Sequence, residues 1–90
     1  MIYITAVHMS TAGSGHEHIV DVRWQNPSDN TTGQSTRQQI VDWIRDQRGD
    51  ARVSDGRNEA KVGVVDATPP FIRTYADGKW TDNLPALPRY

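Results

Sequence analysis

The 90 residues contain no cysteine. That excludes disulfides, thiolate zinc sites and a cysteine nucleophile, and it fits a reducing, cytoplasmic setting. Long apolar runs are missing too. None approaches the roughly 20 residues of a membrane span, so no membrane partner is expected. The opening Met-Ile-Tyr-Ile-Thr-Ala-Val lacks the basic flank and long apolar stretch of a signal peptide. There is little excess charge: Lys and Arg total 10 against 11 Asp and Glu, a net charge of -1. Without a basic footprint a nucleic-acid partner is disfavoured. Lysine itself is scarce, with Lys61 and Lys79 alone, and every other basic residue is arginine. Arginine presents a planar fork suited to carboxylates and phosphates, where lysine presents a point charge.

A chain of this length forms one domain, residues 1–90. It hides only about 60% of the surface its unfolded form exposes, so its core is thin and a homo-oligomer is expected.

Residues 2–9 and 18–25 alternate between apolar and polar and predict two strands joined by a Gly- and Ser-rich hairpin loop. Setting His8 opposite His18 places Ala6 against Val20, Ile4 against Val22 and Ile2 against Trp24. Tyr3 and Arg23 then share the other face, as do Thr5 and Asp21. Asn26 to Gly33 reads as a turn-forming loop. Ser35, with Gln38 as capping-box partner, predicts a helix start; Ile40, Val41, Trp43 and Ile44 form its apolar stripe, and Gly49 marks its end. Short strands follow over 51–54, 59–67 and 71–76, with Asp55-Gly56 and Asp77-Gly78 as turns and Pro69-Pro70 as a break. Lys79 to Asp82 forms a return segment. The tail from Leu84 to Tyr90, with two prolines, reads as an extended strap over the surface. The sum is an α+β fold: a mostly antiparallel sheet of four to six strands in ββαβββ order, with one helix packed on one face.

Two stretches carry unusual chemistry. The first is Gly13-Ser14-Gly15-His16-Glu17-His18. Its glycines suit an anion nest or a flexible loop. On a strand, His16 and His18 share a face, and His8 joins them across the hairpin as a candidate metal trio; backbone hydrogen bonding is the competing reading. The second is Thr68 to Asn83, where Arg73 and Tyr75 share one face and Trp80, Asp82 and Asn83 follow the turn at Asp77. Aromatics beside arginine stack a planar base and clamp a phosphate, while Asp and Asn read hydroxyls or base edges. The competing role for Arg73 is an ion pair with Asp77 or Asp82. Arg23, with Tyr3 near it, is a second basic-aromatic spot. No His-Glu-x-x-His, P-loop or Gly-x-Ser-x-Gly pattern is present, and no enzyme activity or cofactor is expected.

The closing stretch Ala67-Thr-Pro-Pro-Phe-Ile-Arg-Thr-Tyr-Ala-Asp-Gly-Lys-Trp-Thr-Asp-Asn-Leu resembles that of a small bacterial and phage family, domain of unknown function 3892. So does the opening strand with its Gly-rich loop into His-Glu-His-Ile. The resemblance spans nearly the whole chain and implies a small α+β domain in a phage or mobile-element setting. It carries no catalytic residue. Residues and setting together lead to a non-catalytic binder of a small anionic ligand, a nucleotide signal of a host immune system that the protein sequesters as a sponge. The ligand residues on that reading are Arg73, Tyr75, Asp77, Trp80, Asp82, Asn83, Arg23, His16 and His18. The alternative is a protein–protein interaction module with no small-molecule ligand.

Overall fold

A computed structural model describes residues 1–11, 13, 15–54 and 56–90. Seven strands and one helix follow in the order β1 (Ile2–Met9), β2 (Ile19–Asn26), β3 (Thr31–Thr36), α1 (Arg37–Gln47), β4 (Ala51–Ser54), β5 (Glu59–Val65), β6 (Phe71–Ala76) and β7 (Lys79–Thr81). The strands form a single sheet ordered β3-β2-β1-β4-β5-β6-β7. The sheet is thus larger than the four to six strands expected, and it is mixed. After α1 the chain returns to the free side of β1, so β4 runs parallel to it, pairing Ile2 with Ala51 and Tyr3 with Arg52.

β3 occupies the end of the segment that the sequence marked as a loop. Its residues, Thr-Thr-Gly-Gln-Ser-Thr, hold no large apolar side chain, so no alternation signal exists. The reason is its neighbour. The Trp24 indole on β2 lies across Gly33, leaving no room there for a Cβ, and donates from Nε1 to Ser35 Oγ at 3.0 Å. Trp24 supplies the apolar surface that the strand itself lacks.

With Ser35 committed to the sheet, the helix starts one residue later than the sequence indicates. Thr36 caps it, Oγ1 accepting from Gln39 N at 3.1 Å while Gln39 Oε1 accepts from Thr36 N at 2.8 Å. At the other end Arg48, not Gly49, takes the left-handed conformation, with φ 53. Gly49 is required for space, because the Trp43 ring packs where its Cβ would be.

The β1–β2 register also differs. The observed partners are Ile4 with Trp24, Ala6 with Arg23, Val7 with Val22, His8 with Asp21 and Met9 with Ile19. Thr5 on β1 and Val20 on β2 are therefore extra residues, and these two bulges reset the alternation. Val7 turns inward in place of Ala6, and Ile19 in place of Val20; both Val7 and Ile19 are fully buried. Burying the larger side chain of each pair removes more apolar surface from water. His8 consequently leaves the apolar side, and Tyr3 lies opposite Gln25 instead of Arg23.

The core joins Ile2, Ile4 and Val7 of β1 to Val22, Ile40, Val41, Val62 and Ile72. Leu84 completes it at 0% exposure, and Leu87 packs alongside. The tail crosses the surface, with Ala86, Pro88 and Arg89 exposed, but Leu84 anchors it in the core. It returns to β1, where Val7 N donates to Pro88 O at 2.9 Å and Tyr90 N to Val7 O at 3.2 Å.

Candidate functional site

The β5–β6 register sets Lys61 against Tyr75 and Gly63 against Arg73, and the β6–β7 register sets Tyr75 against Trp80. Lys61, Gly63, Arg73, Tyr75 and Trp80 therefore share one face, since directly paired residues and every second residue along a strand point the same way. The Tyr75 and Trp80 rings meet edge to face, with centroids 5.7 Å apart and planes at 80°. Both are exposed, Tyr75 at 37% and Trp80 at 47%. Gly63 gives them space: a Cβ there would come within 3.2 Å of Tyr75 and 3.3 Å of Trp80. Asp77 and Gly78, with φ of 53 and 77, form the two-residue turn that fixes this hairpin. Asp77 is a turn former at its tip and takes part in none of the ion pairs seen among the described residues.

Arg73 borders the platform. It donates from NH2 to Asp82 Oδ1 at 2.8 Å and from Nε to Thr81 O at 3.2 Å. The ion pair with Asp82 is the structural role weighed for it from sequence. Asp82 is largely open, its side chain 75% exposed, whereas Arg73 is one-third exposed. Asn83 contributes through its backbone, its N–H donating to Thr74 Oγ1 at 3.2 Å and anchoring the chain as it leaves β7.

His16 joins this cluster, so the Gly-rich stretch and the 73–83 segment meet within one chain. A 3-10 turn over His16–His18 precedes β2, where the sequence reading sets the end of the hairpin loop and the first residue of the strand. Each residue of such a turn rotates by about 120°, so His16 and His18 diverge where a strand would align them. His16 packs near β6 and β7, its side chain 12% exposed, with Nε2 3.8 Å from Asp82 Oδ1 and no hydrogen-bond partner. His18 turns away, pairing Nδ1 with Ser10 Oγ at 3.1 Å and approaching Glu17 at 3.6 Å. His8 lies elsewhere on β1, with Nδ1 hydrogen-bonded to Tyr90 O. The three histidines thus have separate partners, and among the described residues no three metal-ligating side chains converge. The Gly13-Ser14-Gly15 nest rests on Ser14, which lies outside the described residues.

Arg23 is not part of the platform. It sits on β2, with β1, β4 and β5 between it and β6. Its guanidinium lies 4.1 Å from the Tyr90 ring centre, a cation–π contact that fastens the tail. Tyr3 is separate again: its hydroxyl donates to Glu59, which also accepts from Arg52 NH1 at 3.0 Å. Lys61 and Gly63 escaped the sequence reading. The loop between β5 and β6 contains Pro69-Pro70 and fixes no register, so the alternation of β5 alone does not reveal which residues face Arg73 and Tyr75.

Burial of the His16 ring, with the Arg73 charge acting in the same sense, holds its pKa below the ordinary histidine value; Asp82, Glu17 and the Thr81 backbone oppose this more weakly. A base whose pKa is lowered on folding binds its proton better in the unfolded chain. Its stabilising contribution is complete above the unfolded value, about 6.5, and is lost as the pH falls through the lower folded value. Thermal melts from pH 7.5 to 5 should therefore show a loss of Tm in the parent that is smaller in His16→Gln. Parallel Tm curves for the two proteins would contradict this.

The family model described as "Protein of unknown function (DUF3892)" matches residues 3–88. No curated protein and no solved structure matches the chain at a significant level. No helix among the described residues is long and apolar enough to cross a membrane.

Proposed function

From the premise that the chain belongs to the DUF3892 family, whose function is unknown, we propose a role argued from its own residues: a non-catalytic binding module for a planar anion, a nucleotide above all. One observation carries the reading. Two exposed aromatic rings, Tyr75 and Trp80, stand side by side on a face that also bears Arg73 and Lys61. A ring face stacks any base, and the cations favour its phosphates. His16, its side chain 12% exposed and its Nε2 buried without a partner, borders the Arg73 end beside Asp82. The proposed role is to hold the ligand, as a sponge for a signalling nucleotide, with a second copy of the chain closing over the open platform. Exposed aromatics are the surface such a homo-oligomer would cover.

The test is a thermal-shift screen of mononucleotides, cyclic mono- and dinucleotides and cyclic ADP-ribose-type compounds. A ligand present at one hundred times its Kd stabilises by about 2.7 kcal/mol. For a domain of this size that raises Tm by roughly 10 °C or more. Shifts under a degree for every compound at millimolar concentration would overturn the reading.

A second reading, a protein-recruiting module, is favoured by β3. It ends the sheet, its outer backbone edge faces no other strand among the described residues, and an extended segment of another chain can pair there by strand addition.

A further inference from the structure

Trp24 of β2 and Trp43 of α1 face a space that shares no lining residue with the Trp80 platform. Together they line a cleft of about 400 Å³ between α1 and the β2–β3 edge, floored by Ile2 and Ile40. That volume lies within the range of small-molecule sites, about 300–1,000 Å³. Both indoles are held in place by glycine: Trp24 lies across Gly33, and Trp43 lies across Gly49. These contacts fix the ring planes before any ligand arrives, which limits the entropy lost on binding.

The polar lining is uncharged. It holds Asn26, Thr31, Ser35 and Gln39 and no ionisable side chain. Three of the four side-chain oxygens already accept one hydrogen bond, and the fourth, Thr31 Oγ1, donates to Asp29 Oδ1 at 2.7 Å. Ser35 Oγ accepts from Trp24 Nε1, Asn26 Oδ1 accepts from Ser28 N at 3.0 Å, and Gln39 Oε1 accepts from Thr36 N. The donors with no recorded partner among these groups are the amide N–H groups of Asn26 and Gln39 and the Ser35 hydroxyl hydrogen, and they outnumber the oxygens that accept no bond. A charged ligand would find no counter-ion here and would lose its hydration. An apolar ligand would leave those donors unpaired at the cleft wall.

We propose that this cleft is a binding site for an uncharged planar heterocycle rich in hydrogen-bond acceptors, its ring against the two indoles and its acceptors toward Asn26, Ser35 and Gln39. The site is independent of the Trp80 platform.

Caffeine is a suitable probe, being neutral, planar and an acceptor without donors. The three tryptophans give three indole N–H signals, so an NMR titration of the nitrogen-15-labelled chain reports both regions at once. The expected result is saturable movement of the Trp24 and Trp43 signals with Trp80 unchanged. Toluene, which has no acceptor, should bind roughly tenfold more weakly or worse, and Asn26→Leu should weaken caffeine by about tenfold, the effect of one hydrogen bond. Gln39→Leu is the second variant if Asn26→Leu fails to fold, and an unmoved Trp80 signal certifies the fold of either. The proposal is overturned by no saturable shift at Trp24 and Trp43 up to the solubility limit, by shifts at Trp80 alone, or by toluene binding as tightly as caffeine. A folded variant with undiminished caffeine affinity overturns it as well.

Discussion

Leu84→Ala is expected to lower the stability of the fold by about 2–5 kcal/mol, the range for deleting a buried leucine side chain down to its Cβ. Leu84 is wholly buried and belongs to the same cluster as Ile4, Val7 and Ile72. Its surroundings cannot collapse easily into the gap. Just before it, the Asn83 N–H is tied to Thr74 Oγ1, and Thr74 is itself bonded to Thr81 Oγ1 at 2.7 Å. Just after it, Leu87 N donates to Leu84 O at 3.1 Å, and the chain then runs along β1 to Tyr90. The backbone is pinned on both sides, so a cavity should persist. Native domains are stable by only about 5–15 kcal/mol in all, and a thin core places this one where such a loss matters. Chemical denaturation should show a clear fall in the midpoint with little change in slope, whereas Leu87→Ala, at a half-buried position, should cost distinctly less. A loss under 1 kcal/mol for Leu84→Ala would restore the surface strap that the sequence suggested.

That tail shows where reading the chain stops. Prolines at 85 and 88 announce an extended path, but not what the path lies against. Burial of Leu84 depends on the return to β1, a contact far away in sequence. The strands with strong alternation, β1, β2, β5 and β6, were legible, as was the helix with its apolar stripe at Ile40, Val41 and Ile44. β3 was not, because Trp24 of the neighbouring strand provides its apolar cover. The two bulges at Thr5 and Val20 were invisible for a related reason: strict alternation is the only pattern a local reading can apply, and choosing Val7 over Ala6 is decided by the core as a whole.

The candidate site divides the same way. Arg73, Tyr75, Trp80 and Asp82 lie close in sequence, and a two-residue turn brings them together, so their grouping was legible. His16 joins them only because a 3-10 turn, not a strand, aims it there. Arg23 enters as a second basic-aromatic spot because alternation sets it on the hairpin's open face near Tyr3, and the sheet order puts three strands between it and β6.

On the proposed reading, in which a second copy closes over the platform, Arg73→Ala should weaken nucleotide binding by about 2–5 kcal/mol, roughly thirtyfold to several thousandfold, the effect of truncating one partner of a buried, hydrogen-bonded charge pair. Trp80→Ala should cost about 1–3 kcal/mol of binding, as the loss of one stacking ring does. Neither change should cost much stability. Trp80 is nearly half exposed, and the Arg73–Asp82 pair has one open partner, which places it among surface ion pairs worth about 0–1 kcal/mol. Asp82→Asn separates the two roles of Arg73, because it removes the carboxylate that competes with a phosphate for the same guanidinium. If Arg73 serves the ligand, Asp82→Asn should bind nucleotide as well as the parent or better, opposite in direction to Arg73→Ala. If Arg73 only locks the β6–β7 hairpin, both substitutions should lower Tm by similar amounts and leave any nucleotide affinity untouched. Calorimetric titration of the three variants, with Tm measured on the same samples, decides between a ligand-binding arginine and a hairpin clamp.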